Sequence, residues 1–351
     1  MARILLADDG IEFDGKTPET SPLGGVESSV VALVNELAAR GHDVFVRNHC
    51  RAPLIYKGVN WQPIDDGAPW PENIDLYIAN RGDKLIRRMP GAGKTVFWIH
   101  NPAGYLLKWR YQWKLWQSKA DIIFIGDYHK TTYPGWAMGG KRIVIPYGLP
   151  DRFCHGGPRR TPGPKAVFTS NPLRSLDWLL DVWERLIYPE IPEATLHLFA
   201  GSATYGHVGT GKKSAMDVVL DQARQLKDKG VIIRGPVDKE TLIDELETSR
   251  VMLYRGDINE TFCLALGEAQ ALGVPAVVEN LGSATERIKH GLTGFVADGK
   301  NDFALSAIRL LKDDAIWQRF HLAALEHQTR WRWPDAAAEF EKLIPAVGGK
   351  Q

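Results

Sequence analysis

The 351-residue sequence has little cysteine, no excess of one charge and no long apolar run. Its three cysteines, Cys50, Cys154 and Cys263, are far apart and form no Cys-x-x-Cys pair, so their spacing indicates neither a disulfide framework nor a zinc site. The 43 basic and 42 acidic residues nearly cancel, which argues against nucleic acid as a partner. No apolar stretch reaches the length of about 18 residues that a membrane-spanning helix needs. The N-terminus is too short and too acidic for a signal peptide. These absences favour a cytoplasmic protein in a reducing compartment.

The sequence does contain a repeated alternation of short apolar strands with amphipathic helices. Strands are predicted at residues 4–7, 44–46, 76–78, 96–99, 122–125, 143–145, 166–169, 196–200, 231–233 and 251–254. Helices are predicted at residues 26–40, 176–187, 215–229, 262–272 and 334–343. Alternation of this kind predicts parallel sheets with helices on both faces, and hence an α/β protein.

A proline- and glycine-rich stretch divides this alternation in two. Residues 150–164 contain four prolines and three glycines, a composition typical of a linker. We therefore predict two doubly wound, Rossmann-like domains at residues 1–155 and 156–330, followed by a terminal segment at residues 331–351. A glycine-rich stretch at residues 201–213 is predicted to be a loop.

Two glutamates lie where the predicted strand at residues 251–254 passes into a helix. Glu260 falls in the loop and Glu268 two turns into the helix, which Gly273 closes. Ligands gather at the carboxyl ends of strands in such units, and helix N-termini attract anions. At about 1.5 Å per helical residue, the two carboxylates lie roughly 12 Å apart along the chain. They cannot share one hydroxyl, but they could hold the two ends of a nucleotide-sugar with its diphosphate between them.

This motif resembles the donor-sugar motif of retaining glycosyltransferases with the two-domain GT-B fold, and of family 4 (glycosyl transferases group 1) in particular. The resemblance implies that Glu260 holds sugar hydroxyls and is catalytic, and that Glu268 holds the ribose. It also implies two Rossmann-like domains facing across a cleft and a final helix that crosses back to the first domain. The resemblance further implies donor contacts from the residues after Glu260 and from the strand end near residue 234: Thr261, Phe262, Cys263, Arg234 and Gly235.

Matches in the first half of the sequence are shorter. Gly24 and Gly25 open a helix and resemble the family's Gly-Gly loop, where paired glycines let a phosphate approach the backbone. His100 follows the strand at residues 96–99 and resembles the family's histidine beside the transferred sugar, although a lone histidine is often a satisfied structural residue. We interpret it as functional and catalytic.

The sequence departs from the family at two positions. Arg174 and Ser175 match a Lys-Gly pair that binds the donor diphosphate, so Arg174 is predicted to be catalytic, but Asn171 stands near a second basic position. We hypothesise that Arg255, or the pair Lys212 and Lys213, supplies the missing charge. Tyr147 replaces an asparagine in a segment that joins the domains of the family.

The resemblance implies a retaining transfer with no cofactor and no catalytic metal, in which a nucleoside-diphosphate-sugar is the substrate. No Asp-x-Asp occurs, which argues against a metal-dependent GT-A transferase. The acceptor is predicted to be a glycan or a lipid-linked molecule. Two other interpretations remain open: a non-catalytic sugar-nucleotide-binding protein, and a GT-B epimerase.

An aromatic and basic segment in the first half permits two interpretations. Tyr105, Trp109, Trp113 and Trp116 fall on one face of a predicted helix, with basic residues close in sequence. Such a face is typical of peripheral contact with an anionic membrane surface. It is equally typical of a helix that packs on a core, and we slightly favour that second interpretation.

Overall fold

A computed structural model describes residues 1–21, 23–201 and 210–345, with side chains omitted at residues 210–212. The chain divides into two compact units. Unit 1 comprises Met1–Gly148 with Trp331–Gln351, and unit 2 comprises Leu149–Arg330. The stretch predicted to be a linker lies in unit 2, where Phe153 is fully buried in the core.

Unit 1 is built on an eight-stranded sheet. Its strands are β1 (Arg3–Asp8), β2 (Asp43–Asn48), β3 (Leu54–Tyr56), β4 (Val59–Pro63), β5 (Leu76–Asn80), β6 (Lys94–Trp98), β7 (Asp121–Phe124) and β8 (Arg142–Val144). The strand order is β3-β4-β2-β1-β5-β6-β7-β8, and every pair is parallel except β3 with β4. The β3–β4 hairpin was absent from the predicted strands.

The helices of unit 1 are α1 (Thr17–Thr20), α2 (Gly25–Ala39), α3 (Trp109–Ser118), α4 (Asp127–Thr131) and, from the end of the chain, α12 (Trp333–Glu341). Helix α2 buries an apolar stripe at helical spacing: Val30, Leu33, Val34 and Leu37. An ion pair between Arg40 and Glu341 and a contact of 2.7 Å between His42 Nε2 and Glu341 Oε1 attach α12 beside α2.

Unit 2 is built on a six-stranded sheet that is parallel throughout. Its strands are β9 (Lys165–Phe168), β10 (Thr195–Leu198), β11 (Val231–Ile233), β12 (Val251–Leu253), β13 (Ala276–Glu279) and β14 (Gly294–Ala297), in the order β11-β10-β9-β12-β13-β14. Its helices are α5 (Leu176–Val182), α6 (Thr210–Gln225), α7 (Lys239–Glu247), α8 (Leu264–Ala271), α9 (Ala284–Arg287), α10 (Gly299–Lys312) and α11 (Asp314–Gln328). A loop was predicted at residues 201–213, of which residues 202–209 lie outside the described residues. Residues 210–213 form the first turn of α6.

Each sheet contains one topological switch point, where the strand order reverses. In unit 1 it lies between β1 and β5, and in unit 2 between β9 and β12. Crevices at the carboxyl ends of strands on either side of such a point are where open α/β sheets bind ligands. The predicted α/β fold of two Rossmann-like units is confirmed.

None of the helices in the described ranges combines the length and apolar character needed to cross a bilayer.

Candidate functional site

The switch point of unit 2 brings Glu260 and Arg174 into contact. Arg174 follows β9, Glu260 follows β12, and their side chains form an ion pair. Glu260 Oε2 also accepts a hydrogen bond of 3.0 Å from the Tyr254 hydroxyl, and Oε1 accepts one of 3.3 Å from the Cys263 amide. Glu260 is only 8% exposed. Three donors therefore hold this buried carboxylate in one orientation.

Two residues beside this ion pair have left-handed backbone conformations. Ser175 has φ of 60° and precedes α5, and Cys263 has φ of 61° and precedes α8. For residues other than glycine, such angles are sparsely populated and cost about 1–3 kcal/mol, and they concentrate at functional sites. At Ser175 the strained residue occupies the position where the resembled family has glycine.

Burial controls the protonation of the two other polar side chains at this site. It raises the pKa of the Tyr254 phenol, which stays a hydrogen-bond donor to Glu260 at neutral pH. It also raises the pKa of the Cys263 thiol to about 11, so the thiol stays protonated. Neither group is activated as a nucleophile.

Glu268 lies on α8 and faces a different partner. Its Oε1 accepts a hydrogen bond of 2.6 Å from Lys239 Nζ at the start of α7, and the carboxylate is largely buried. The Lys239 ammonium also lies 5.3 Å from the centre of the Phe153 ring. A ribose bound by Glu268 would therefore also meet the ammonium of Lys239.

The remaining predicted donor residues of unit 2 are more dispersed. Arg234 and Gly235 follow β11, two strands away from β9, and Arg234 pairs with Glu245. Thr261 and Phe262 are buried in the loop after Glu260, and the Arg287 guanidinium lies 4.2 Å from the centre of the Phe262 ring.

The residues hypothesised to replace the missing cation have different surroundings. Arg255 Nε lies 2.7 Å from Glu279 Oε2, and its guanidinium lies over the Trp178 ring. Lys213 is exposed on α6, whereas the side chain of Lys212 lies outside the described residues. Arg174 thus remains the cation that the described structure places directly against Glu260.

The switch point of unit 1 holds a second charged cluster. Arg81, just after β5, donates hydrogen bonds of 2.7 to 3.0 Å to both oxygens of Asp8 at the end of β1, and one of 2.9 Å to Glu27. Asn80 also donates to Asp8. A Cβ at Gly24 would lie 2.5 Å from Glu27 Oε2, so a larger residue there would displace the Glu27 carboxylate. Glu27 thus occupies the first turn of α2, which Gly24 and Gly25 begin.

His100 belongs to the same buried network. Its Nε2 lies 2.5 Å from Asn80 Oδ1, and its Nδ1 contacts the Tyr147 hydroxyl. Because the Asn80 amide nitrogen donates to Asp8, its oxygen must accept from His100, so Nε2 carries the proton and Nδ1 accepts from Tyr147. Burial lowers the pKa of His100, which keeps the ring neutral. A contact from His100 to a sugar would have to replace one of these two partners.

A cavity of about 310 Å³ opens at the same edge of the unit 1 sheet. Its lining consists of Asp9, Arg81, Gly82, Asp83, Asn101, Tyr105 and Tyr111. Burial and the adjacent Asp8 raise the pKa of Asp9. Aromatic rings and carboxylates of this kind suit hydroxyl-rich molecules. Because Arg81 is already neutralised by two carboxylates, the cavity suits an uncharged molecule better than an anion.

The structure therefore brings Arg174, Glu260 and Cys263 together in unit 2, and places His100, Gly24 and Gly25 around a separate network in unit 1. The sequence analysis missed Tyr254, Lys239 and the pair of Asp8 and Arg81. Asp8 and Arg81 each stand at the end of an apolar strand, and that position was the available signal. Within the described ranges, no group of three or more His, Cys, Asp and Glu side chains is arranged to hold a metal ion.

Comparisons with known proteins agree with this geometry. Residues 164–313 match the family model described as Glycosyl transferases group 1. The D-inositol 3-phosphate glycosyltransferase of Corynebacterium diphtheriae is 36% identical over 87 residues, which cover 24% of this chain and 20% of that protein. The chain spans only 20% to 25% of the length of this and two Streptomyces relatives of the same name.

Solved structures of low identity share the fold over nearly the full chain. A sucrose-phosphate synthase of Thermosynechococcus elongatus superposes with a TM-score of 0.73 at 17% identity, covering 98% of each chain. Anabaena HepE, solved with UDP and glucose, superposes with a TM-score of 0.69 at 16% identity, covering 97% of this chain and 99% of HepE. The predicted resemblance to glycosyl transferases group 1 with the GT-B fold is confirmed, while family 4 within that group stays a prediction.

Proposed function

We propose that this protein is a retaining glycosyltransferase that moves a sugar from a nucleoside-diphosphate-sugar to an acceptor hydroxyl. The observation that carries the proposal is the ion pair of Arg174 with the triply held Glu260 at the unit 2 switch point. The family match over residues 164–313 surrounds both residues and supports the same function.

On donor binding, the diphosphate would replace Glu260 as the ion-pair partner of Arg174. Glu260 would keep the Tyr254 hydroxyl and the Cys263 amide as donors, so its orientation would survive the exchange. Its freed oxygen could then accept hydrogen bonds from the sugar. The first backbone amides of α8 have no acceptor within the helix, and they add positive potential near the same loop.

The reaction needs no enzyme nucleophile. As the bond between the anomeric carbon and the diphosphate oxygen breaks, negative charge grows on the diphosphate, and Arg174 with the α8 amides stabilises it. The acceptor oxygen bonds to the anomeric carbon from the same face, and its proton passes to the leaving phosphate. In this scheme the nucleoside-diphosphate-sugar is a substrate, and neither a metal nor a cofactor takes part.

We place the acceptor hydroxyl in the cavity of unit 1. Asp9 and Asn101 offer hydrogen-bond acceptors, and Tyr105 and Tyr111 offer aromatic surface. Because Arg81 is committed to Asp8 and Glu27, the described residues that line the cavity offer no free cation to a phosphorylated acceptor. An uncharged glycan or the sugar of a glycolipid therefore fits best.

The test is release of nucleoside diphosphate from a panel of nucleotide-sugars, with and without candidate acceptors. Glu260→Ala should abolish transfer. Glu268→Ala should mainly raise KM for the donor, because it removes a binding group away from the reacting carbon. Glu326→Ala, an exposed glutamate of α11, serves as the matched control and should behave as wild type.

The outcomes separate the alternatives. A product that keeps the anomeric configuration of the donor, read by NMR, supports retention. Donor binding without any turnover supports the non-catalytic interpretation, and interconversion of the donor sugar supports an epimerase. Wild-type kinetics in both glutamate variants would overturn the site assignment.

A further inference from the structure

Helix α3 presents three tryptophans to solvent. Trp109, Trp113 and Trp116 are 74%, 42% and 53% exposed, and their spacing of four and three residues places them on one face. The ring centres of Trp109 and Trp113 lie 5.7 Å apart, and those of Trp113 and Trp116 lie 5.1 Å apart. The three rings therefore form one continuous apolar ridge. The slightly favoured core-packing interpretation is wrong for these residues.

The opposite side of α3 is fixed to unit 1. Tyr111, Gln112 and Leu115 are buried, and Tyr105 lies in a preceding 3-10 turn, not in α3. The exposed ridge is thus the surface of a firmly packed helix, and large exposed apolar patches of this kind mark interaction sites.

A neighbouring loop is attached to the same helix. Gln112 donates a hydrogen bond of 2.8 Å to the Tyr133 hydroxyl and accepts one of 2.9 Å from the Met138 amide. This loop carries two further exposed apolar side chains, Trp136 at 73% and Met138 at 44%. The loop therefore adds exposed apolar surface, and it is attached to α3 through the buried residue Gln112.

The surrounding sequence is basic over a long stretch. Residues 84–120 contain no aspartate or glutamate, although acidic and basic residues nearly balance over the whole chain. They contain eight basic residues: Lys84, Arg87, Arg88, Lys94, Lys108, Arg110, Lys114 and Lys119. Lys84, Lys108 and Lys119 are exposed, and each lacks an ion pair to any described residue.

We propose that this face of unit 1, the α3 ridge with its basic surroundings, binds the surface of an anionic lipid bilayer. Tryptophan has an apolar body and a polar N–H, which suits the interface between acyl chains and water. The lysines add electrostatic attraction to anionic headgroups. A second copy of the chain is a poorer occupant, because a symmetric contact would oppose two basic surfaces.

This inference does not rest on the proposed transferase function. It is tested with the full-length protein by flotation on vesicles of phosphatidylcholine, with and without phosphatidylglycerol. We expect binding to the anionic vesicles, weaker binding as salt rises, and a blue shift of tryptophan emission on binding. Absence of flotation on both vesicles would overturn the proposal.

The aromatic part is tested by the triple variant W109A/W113A/W116A. This variant should weaken binding to anionic vesicles by roughly tenfold or more, because it removes the apolar area that the three rings would bury in the bilayer interface. The matched control V218A/L305A/L322A removes three exposed apolar side chains of unit 2 and should bind as wild type. Equal loss in both variants would contradict the proposal.

The charged part is tested by K84Q/K108Q/K119Q against K213Q/K227Q/K312Q, three exposed lysines of unit 2. The first set should weaken binding by roughly a hundredfold if all three lysines approach the headgroups, and the second set should have little effect. Circular dichroism establishes that each variant is folded. If the tryptophan variant instead abolishes a concentration-dependent dimer, and vesicles are never bound, the face is a contact between copies and the proposal is wrong.

Discussion

The two switch points have the same topology, but they differ in the number of carboxylates that pair with their arginine. In unit 1, Arg81 is held by two carboxylates, Asp8 and Glu27, and its side chain is 23% exposed. In unit 2, Arg174 is held by one carboxylate, Glu260, and its side chain is 36% exposed. The charge of Arg81 is fully neutralised within the protein, whereas Arg174, with a single carboxylate partner, can also bind an anion. The topology that the two units share therefore provides a place for a ligand, and the balance of charges decides whether that place can bind an anion.

Substituting each arginine by methionine should separate these states. Arg81→Met leaves the fully buried Asp8 and the buried Glu27 without their counter-charge, so we expect a loss of about 3–5 kcal/mol in the free energy of unfolding. Arg174→Met also leaves a largely buried carboxylate, but Arg174 is partly exposed and Tyr254 and the Cys263 amide still hold Glu260, so we expect a smaller loss of about 1–2 kcal/mol. Urea denaturation monitored by circular dichroism measures both.

The contrast would fail if the two variants lost similar stability. Equal large losses would mean that Arg174 is also a structural arginine. Equal small losses would mean that solvent reaches Asp8 and Glu27 more easily than their burial indicates.

Acid should weaken unit 1 through His129. Burial lowers the pKa of this histidine from 6.5 to about 4, and its neutral ring accepts from the Ile125 amide and donates to the Asn101 carbonyl. The unfolded chain binds the proton more readily than the folded one. This contribution to stability is therefore complete above pH of about 6.5 and is lost as pH falls toward about 4, amounting to at most about 3 kcal/mol.

The free energy of unfolding, measured across this pH range, checks the effect. His129→Gln should remove part of the slope that belongs to unit 1, and the part that remains belongs to His100, whose pKa burial also lowers. In unit 2, burial lowers the pKa of His197 to about 4 as well, but that ring is half-buried, so its share should be smaller. A slope that His129→Gln leaves unchanged would contradict this assignment.

The smallest expected effect concerns the backbone of the unit 2 site. Ser175→Gly relieves a left-handed conformation and loses a weak hydrogen bond of 3.3 Å from Oγ to the Gly256 carbonyl. Glycine also gains freedom in the unfolded chain, so the net gain should be within about 1 kcal/mol. Thermal denaturation measures it. A clear loss of stability would mean that the hydroxyl matters more than the backbone strain.

The sequence predicted the unit 2 site better than the unit 1 site, for a physical reason. Arg174 and Glu260 each follow an apolar strand and precede a helix, and both positions are readable locally. The contact of Asp8 with Arg81 depends on β1 lying beside β5, and strand order is not encoded in local periodicity. The same limit hid the partner of Glu268, because Lys239 starts a different helix.

The tryptophans of α3 illustrate a second limit. Helical spacing places Trp109, Trp113 and Trp116 on one face, but spacing cannot decide whether that face is inward or outward. The packing of Tyr111 and Leu115 decides it, because they fill the inward face of α3. The β3–β4 hairpin was missed for a different reason, because its two strands are short and β4 is partly polar.

The most direct test of the donor site is thermal stabilisation by UDP, GDP, ADP and TDP, each with and without a sugar attached. A ligand at about 100 times its dissociation constant should add about 2.7 kcal/mol of stability. The control is Arg185→Met, which removes an exposed arginine of unit 2 that pairs with Asp181. We predict that one nucleotide-sugar raises the Tm of the wild-type chain and of this control, and raises it much less for Arg174→Met. A shift that Arg174→Met keeps in full, or no shift with any nucleotide, would contradict the assignment of the unit 2 switch point as the donor site.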